Sequence, residues 1–106
     1  MTIEGLSYID QSPIKISFDD KIKAIASAKE LSDNFIGPGF TDLQVNGYGG
    51  YDYNELVSEP TTLSNITRQL FAAGVTTHLP TIITNDTGQI GLLIEQVITL
   101  RKQDEI

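Results

Sequence analysis

Asp42, Gln44 and Asn46 occupy every second position of Gly37-Pro-Gly-Phe-Thr-Asp-Leu-Gln-Val-Asn-Gly-Tyr-Gly-Gly50, a stretch that is otherwise strand-forming and rich in glycine. Side chains two apart on a strand share a face, so a carboxylate and two amides are lined up where they can hydrogen-bond a ligand or floor a wet cavity. Leu43 and Val45 alternate to the other face, and the stretch reads as one buried strand. Backbone amides of the following Gly47, Gly49 and Gly50 could cradle a phosphate. Nothing nearby matches a P-loop or dinucleotide fingerprint, however, and the glycines are expected to serve a tight turn and close packing. Amides are poor zinc ligands beside imidazole and carboxylate, which argues against direct metal ligation by Gln44 or Asn46. Asp42 suits a structural hydrogen bond to nearby backbone amides. His78, the one histidine, has no carboxylates at metal-ligand spacing, so packing or hydrogen bonding is its expected role. Tyr48, Tyr51 and Tyr53 are expected to pack over the loop, with Asp52 and Glu55 as solvated charges.

These residues need a scaffold, and the flanking pattern supplies one. From Ile3 to Ile25 the chain has strand and turn character: Ile3, Leu6 and Tyr8 form a short run, and Ile14, Ile16 and Phe18 alternate with Lys15 and Ser17. Asp19-Asp20 signals a turn, and a third strand follows through Ile22, Ala24 and either Ile25 or Ala26. Ser27 to Asn34 is a polar connection into Phe35-Ile36. Gly37-Pro38-Gly39 then breaks the composition, and a domain boundary is placed there, giving segments 1–37 and 38–106. Beyond the glycine loop, Ser58-Glu-Pro-Thr-Thr62 carries helix-start residues. Leu63, Ile66, Leu70 and Phe71 recur at helical spacing, and Gly74 supplies a stop. Val75 to Ile83 reads as a second buried strand. Asn85 or Asp86 can cap a second helix, with Gln89 placed as in a capping box. Its apolar stripe runs through Ile90, Leu93, Ile94, Val97 and Ile98 or Leu100 to Arg101-Lys102. Strand, helix, strand, helix is the order of a parallel α/β sheet.

Pro38-Gly-Phe-Thr-Asp-Leu-Gln-Val-Asn-Gly47 resembles the first barrel strand of the amidohydrolase superfamily, P-G-F-I-D-x-H-x-H-G, with Gln44 and Asn46 where that superfamily places two metal-binding histidines. The Q-x-N-G-x-G-G form is similar to that of the N-acetylglucosamine-6-phosphate deacetylase family. Gly74-Val-Thr-Thr-His-Leu-Pro-Thr-Ile-Ile-Thr84 resembles that family's G-x-T-x-x-L-P-T-x-I-T segment. The resemblance implies the start of a (β/α)8 TIM barrel, its first two β/α units, preceded by part of a small β-sandwich. It implies hydrolysis of the acetamide of N-acetylglucosamine 6-phosphate, a phosphorylated amino sugar, by water activated on a divalent metal such as zinc. The family's ligands are a Glu in an L-E-G-P segment and two His, with a later Asp as acid/base. This chain contains none of those segments, so no catalytic or metal residue is assigned to it. Gln44 and Asn46 are expected to floor the active site near the metal.

At 106 residues the chain is long enough for one small domain, whereas a TIM barrel takes about 250 residues. The expectation is therefore an incomplete fragment, inactive and metal-free by itself, of a parent deacetylase. With 14 acidic against 7 basic residues the net charge is -7, which disfavours a nucleic-acid partner. The absence of cysteine excludes disulfides and thiolate metal sites and fits a cytoplasmic protein. No stretch approaches the roughly 18 apolar residues of a membrane span, and no signal-peptide pattern opens the chain. Two parallel strands leave apolar surface uncovered, which favours self-association through barrel and sandwich faces. The alternatives are another amidohydrolase with a degenerate first strand, or a non-catalytic α/β interaction module derived from such a barrel.

Overall fold

Alternation of apolar and polar residues lays the N-terminal segment out as β1 (Thr2–Ser7), β2 (Pro13–Phe18) and β3 (Ile22–Ser27), followed by the short β4 (Phe35–Ile36). The computed structural model describes residues 1–29 and 32–103, so Glu30 and Leu31 of the polar connection into β4 lie outside the described residues. The four strands make one sheet in the order β3-β2-β1-β4, antiparallel except for the parallel β1–β4 pair. Cross-strand partners explain the register: Ile3 lies opposite Ile16, Ile16 opposite Ile25, and Glu4 opposite Lys15, whose ammonium meets the Glu4 carboxylate at 2.9 Å. Ile25 thus settles the third strand's register. The Asp19 carboxylate closes the β2–β3 turn by accepting from the Lys21 amide at 3.1 Å and pairing with Lys23 at 3.1 Å. Little covers this sheet. Ile16 is its buried hydrophobic residue, while Ile3, Ile22, Ile25 and Phe35 are exposed.

Chain contacts divide the molecule into Met1–Pro38 and Gly39–Ile106. The second unit contains β5 (Phe40–Val45), a hairpin of β6 (Gly47–Tyr48) and β7 (Tyr51–Asp52), a 3-10 turn (Tyr53–Glu55), α1 (Thr62–Ala72), β8 (Val75–Pro80) and α2 (Thr87–Gln103). β5 and β8 pair in parallel, and α1 makes the crossover between them. Leu63, Ile66 and Leu70 fall on one face of α1 and are buried together with Val45, Tyr53, Leu56 and Leu93. Phe71, expected in the same stripe, is exposed. The helix ends at Gly74, whose φ of +86° suits glycine. The Gly74 carbonyl accepts the Phe40 amide at 2.8 Å, joining the end of the crossover to the start of β5. At α2 the Asp86 carboxylate accepts the Gln89 amide at 3.0 Å, which is half of a capping box; the Asp86 amide is itself taken by Asn85 Oδ1 at 2.9 Å.

Two expectations require correction. Neither β5 nor β8 is a buried strand: Phe40 is 70% and Leu43 72% exposed, and Thr76, Thr77 and Leu79 are also exposed. A two-stranded parallel pair has neighbours enough to cover only part of its faces. The second strand also stops at Pro80 and not at Ile83: the Thr81 amide, donating to the Val45 carbonyl at 2.8 Å, makes the last bond of the ladder, and β5 itself ends at Val45.

Candidate functional site

The C-terminal half of β5 departs from regular pairing at the residues singled out by type and spacing. Asp42 pairs with His78 and Val45 with Pro80, so two intervening residues on β5, Leu43 and Gln44, face one on β8, Leu79. This is a bulge. The Asp42 carboxylate accepts the Gln44 amide at 3.0 Å, drawing that N–H out of the ladder. Just beyond, the Val45 carbonyl accepts from Thr81 at 2.8 Å and the Asn46 carbonyl from Tyr53 at 3.2 Å. Residues 44 to 46 are therefore pinned through their backbone by three separate partners. Strict alternation does not survive the bulge: Leu43 is exposed although Val45 is 6% exposed. Gln44 and Asn46 are both exposed, and Asp42 is half-buried.

His78, half-buried opposite Asp42, stacks on Tyr53 with ring centroids 6.4 Å apart and planes 18° apart. Burial lowers the His78 pKa, and the Asp42 charge works against that shift. Tyr53 is fully buried, and burial with the Asp42 charge pushes its hydroxyl up to about 12. Among the described residues nothing hydrogen-bonds the buried Tyr53 hydroxyl or Asn54 Oδ1. Asp52 is not a free solvated charge: Oδ1 accepts the Asn54 amide at 2.8 Å and Asn54 Nδ2 at 2.7 Å, capping the 3-10 turn. The spacing Asp52-x-Asn54 carries that Asx signal. Tyr53 was obscured by its neighbours, since Tyr48 and Tyr51 stay exposed and nothing local ranks the three.

Gly49 and Gly50 have φ of +62° and +90° and form the two-residue turn between Tyr48 and its partner Tyr51, values that fit a type I′ hairpin. Gly49 lies against the flexible amide end of the Gln69 side chain of α1, which would have to move to admit a Cβ. A separate groove of about 460 Å³ runs between Leu63 and Phe71 of α1, His78 and Leu79 of β8, and Val97 and Arg101 of α2. It does not include Gln44 or Asn46. Among the described residues no three His, Cys, Asp or Glu side chains converge as a metal site. The described residues therefore do not fit a metal by themselves. What they offer is a pinned, hydrogen-bonding rim with two accessible amides.

A parallel β-α-β unit with polar groups at one strand's C-terminal end, preceded by a mostly antiparallel sheet, makes an α/β fold. Comparisons place that fold more closely. No protein-family model matches the chain. Over 74 residues it is 27% identical to N-acetylglucosamine-6-phosphate deacetylase of Mus musculus and 26% identical to that of Homo sapiens, covering 69% of this chain and 18% of each relative. The solved N-acetylglucosamine-6-phosphate deacetylase from Thermotoga maritima superposes with a TM-score of 0.81 at 20% identity, covering 97% of this chain and 28% of that one. The chain thus resembles the N-terminal part of these deacetylases and spans about a fifth to a quarter of their length. Among the described residues no helix is long and apolar enough to cross a membrane.

Proposed function

We propose that this chain forms the N-terminal part of a cytoplasmic N-acetylglucosamine-6-phosphate deacetylase. Residues 1–37 contribute part of a small β-sandwich, and residues 38–106 the first two β/α units of a TIM barrel. One observation carries the reading: the sequence match and the structural match, found separately, fall on proteins of the same printed activity. The reaction is amide hydrolysis of a phosphorylated amino sugar, releasing acetate.

In that setting Gln44 and Asn46 sit at the C-terminal end of a barrel strand, where such folds gather their active sites. Their exposed amides can donate to or accept from substrate or ordered water, and the pinned backbone keeps that geometry fixed. A divalent metal in the complete enzyme would polarise the acetamide carbonyl and supply an activated water. Among the described residues none gathers into a site for that metal.

Reading the source gene past the codon for Ile106 tests the proposal. An open frame encoding an L-E-G-P-like Glu, two separated His and a later Asp is the expected result; a stop codon there would overturn it. Assaying the purified 106-residue chain with N-acetylglucosamine 6-phosphate and zinc is expected to release no acetate, and metal-dependent turnover would show that the chain holds a complete site.

A further inference from the structure

We propose that Asp42 is a positioning residue: by capturing the Gln44 amide, its carboxylate creates the β5 bulge that turns Gln44 and Asn46 toward the rim. The proposal rests on the deacetylase reading only for what those amides meet. The bulge itself stands on this structure alone.

Three observations converge. First, of the two register shifts between β5 and β8, at Phe40/Thr41 and between Asp42 and Val45, the second spans the interval in which the Gln44 N–H is spent on Asp42 Oδ1 at 3.0 Å. A regular parallel ladder would carry that N–H to the neighbouring strand. Second, β5 itself offers no other cause for a bulge here. Leu43, Gln44 and Val45 include no glycine or proline, and Val45 favours a regular strand. Third, the chain after the bulge is held in the shifted position by the Thr81 and Tyr53 amides, so the displacement passes on to Asn46 without being absorbed. Bulges recur beside functional sites because they re-aim a side chain.

The role separates into a hydrogen bond and a charge. The hydrogen bond holds the bulge. The charge also reaches His78 and Tyr53, the stacked pair across the ladder. Asp42→Asn keeps an acceptor oxygen and loses the charge; Asp42→Ala loses both. Asp42→Val, which suits a regular strand, is the second variant should alanine fail to fold.

The experiment is amide exchange and NMR on the full chain and its variants. Asp42→Ala is expected to speed exchange at Gln44 roughly tenfold, the scale of one hydrogen bond to a charged acceptor, and to shift the side-chain amide signals of Gln44 and Asn46. Asp42→Asn is expected to restore both while lowering the His78 titration midpoint, a shift that loss of structure would not produce. Asp42→Val is expected to replace the Val45–Pro80 contacts with those of an unbulged ladder. Unchanged Gln44 exchange in Asp42→Ala, failure of Asp42→Asn to restore it, or a persistent Val45–Pro80 register in Asp42→Val would each overturn the proposal. Failure of the deacetylase reading would appear only in the gene and the assay, leaving these readouts as they are.

Discussion

Tyr53 carries more of the second unit than its place among three tyrosines suggests. It fills the core with no exposed area while its hydroxyl has no hydrogen-bond partner among the described residues. Tyr53→Ala should therefore cost about 3–5 kcal/mol, whereas Tyr53→Phe should change stability by about 1 kcal/mol or less, as read by urea denaturation. The two rings of the stack also set opposite pH limits. His78 has a folded pKa below its unfolded value of about 6.5. Its contribution is full above that pH and is lost as pH falls toward the folded pKa, because the unfolded chain takes the proton more readily. Tyr53, raised to about 12 from 10.0, contributes fully below pH 10.0 and loses that contribution as pH climbs toward 12. Denaturation midpoints across pH should show both shoulders, and His78→Phe should remove the acid one. At this scale the sequence was informative about donors and acceptors: Asp42 does bond a nearby backbone amide, and Asp86 does cap a helix. It was silent on the bulge, which depends on how two strands distant in sequence pair.

Elements with a long period were legible, and short ones were not. α1 follows from apolar spacing and a glycine stop and α2 from apolar spacing and a cap, features that reside within one stretch of chain. The β6–β7 hairpin escaped that logic because two-residue strands have no period to detect, and only the pair Gly49-Gly50 hinted at it. The exposure of β5 and β8 was misjudged for a different reason: strand-forming residues report a preference for extended backbone, while burial depends on what else is present. Gly49→Ala should be among the more damaging small changes, chiefly because φ is +62°, with a smaller cost for moving the Gln69 amide out of the space of a new Cβ. A loss of about 1 kcal/mol or more is expected, measured by thermal unfolding, with Gln69→Ala recovering only the steric part. Asp86→Ala should cost about 1 kcal/mol through the α2 cap.

For the whole molecule, the uncovered apolar surface is the dominant physical fact. Phe40, Leu43, Phe71, Leu79, Ile94 and Ile98 are all exposed in the second unit. Isolated exposed leucines are ordinary, but so many in one small unit favour association. A net charge of -7 opposes it by mutual repulsion. Sedimentation of the chain should show concentration-dependent self-association that strengthens as salt screens the repulsion. A monomer at all concentrations and salt levels would count against that partner. The strand-helix-strand-helix order anticipated this exposure, since two parallel strands cannot cover both of their faces.

The rim itself keeps its shape without its most conspicuous side chains. Residues 44 to 46 are fastened by main-chain bonds and by Asp42, and among the described residues the Gln44 and Asn46 side chains make no hydrogen bond. Their identities are thus uncoupled from folding. Exchanging either for histidine should leave the architecture intact, so single codon changes at these two positions can alter the chemistry of this edge without altering the fold that holds it.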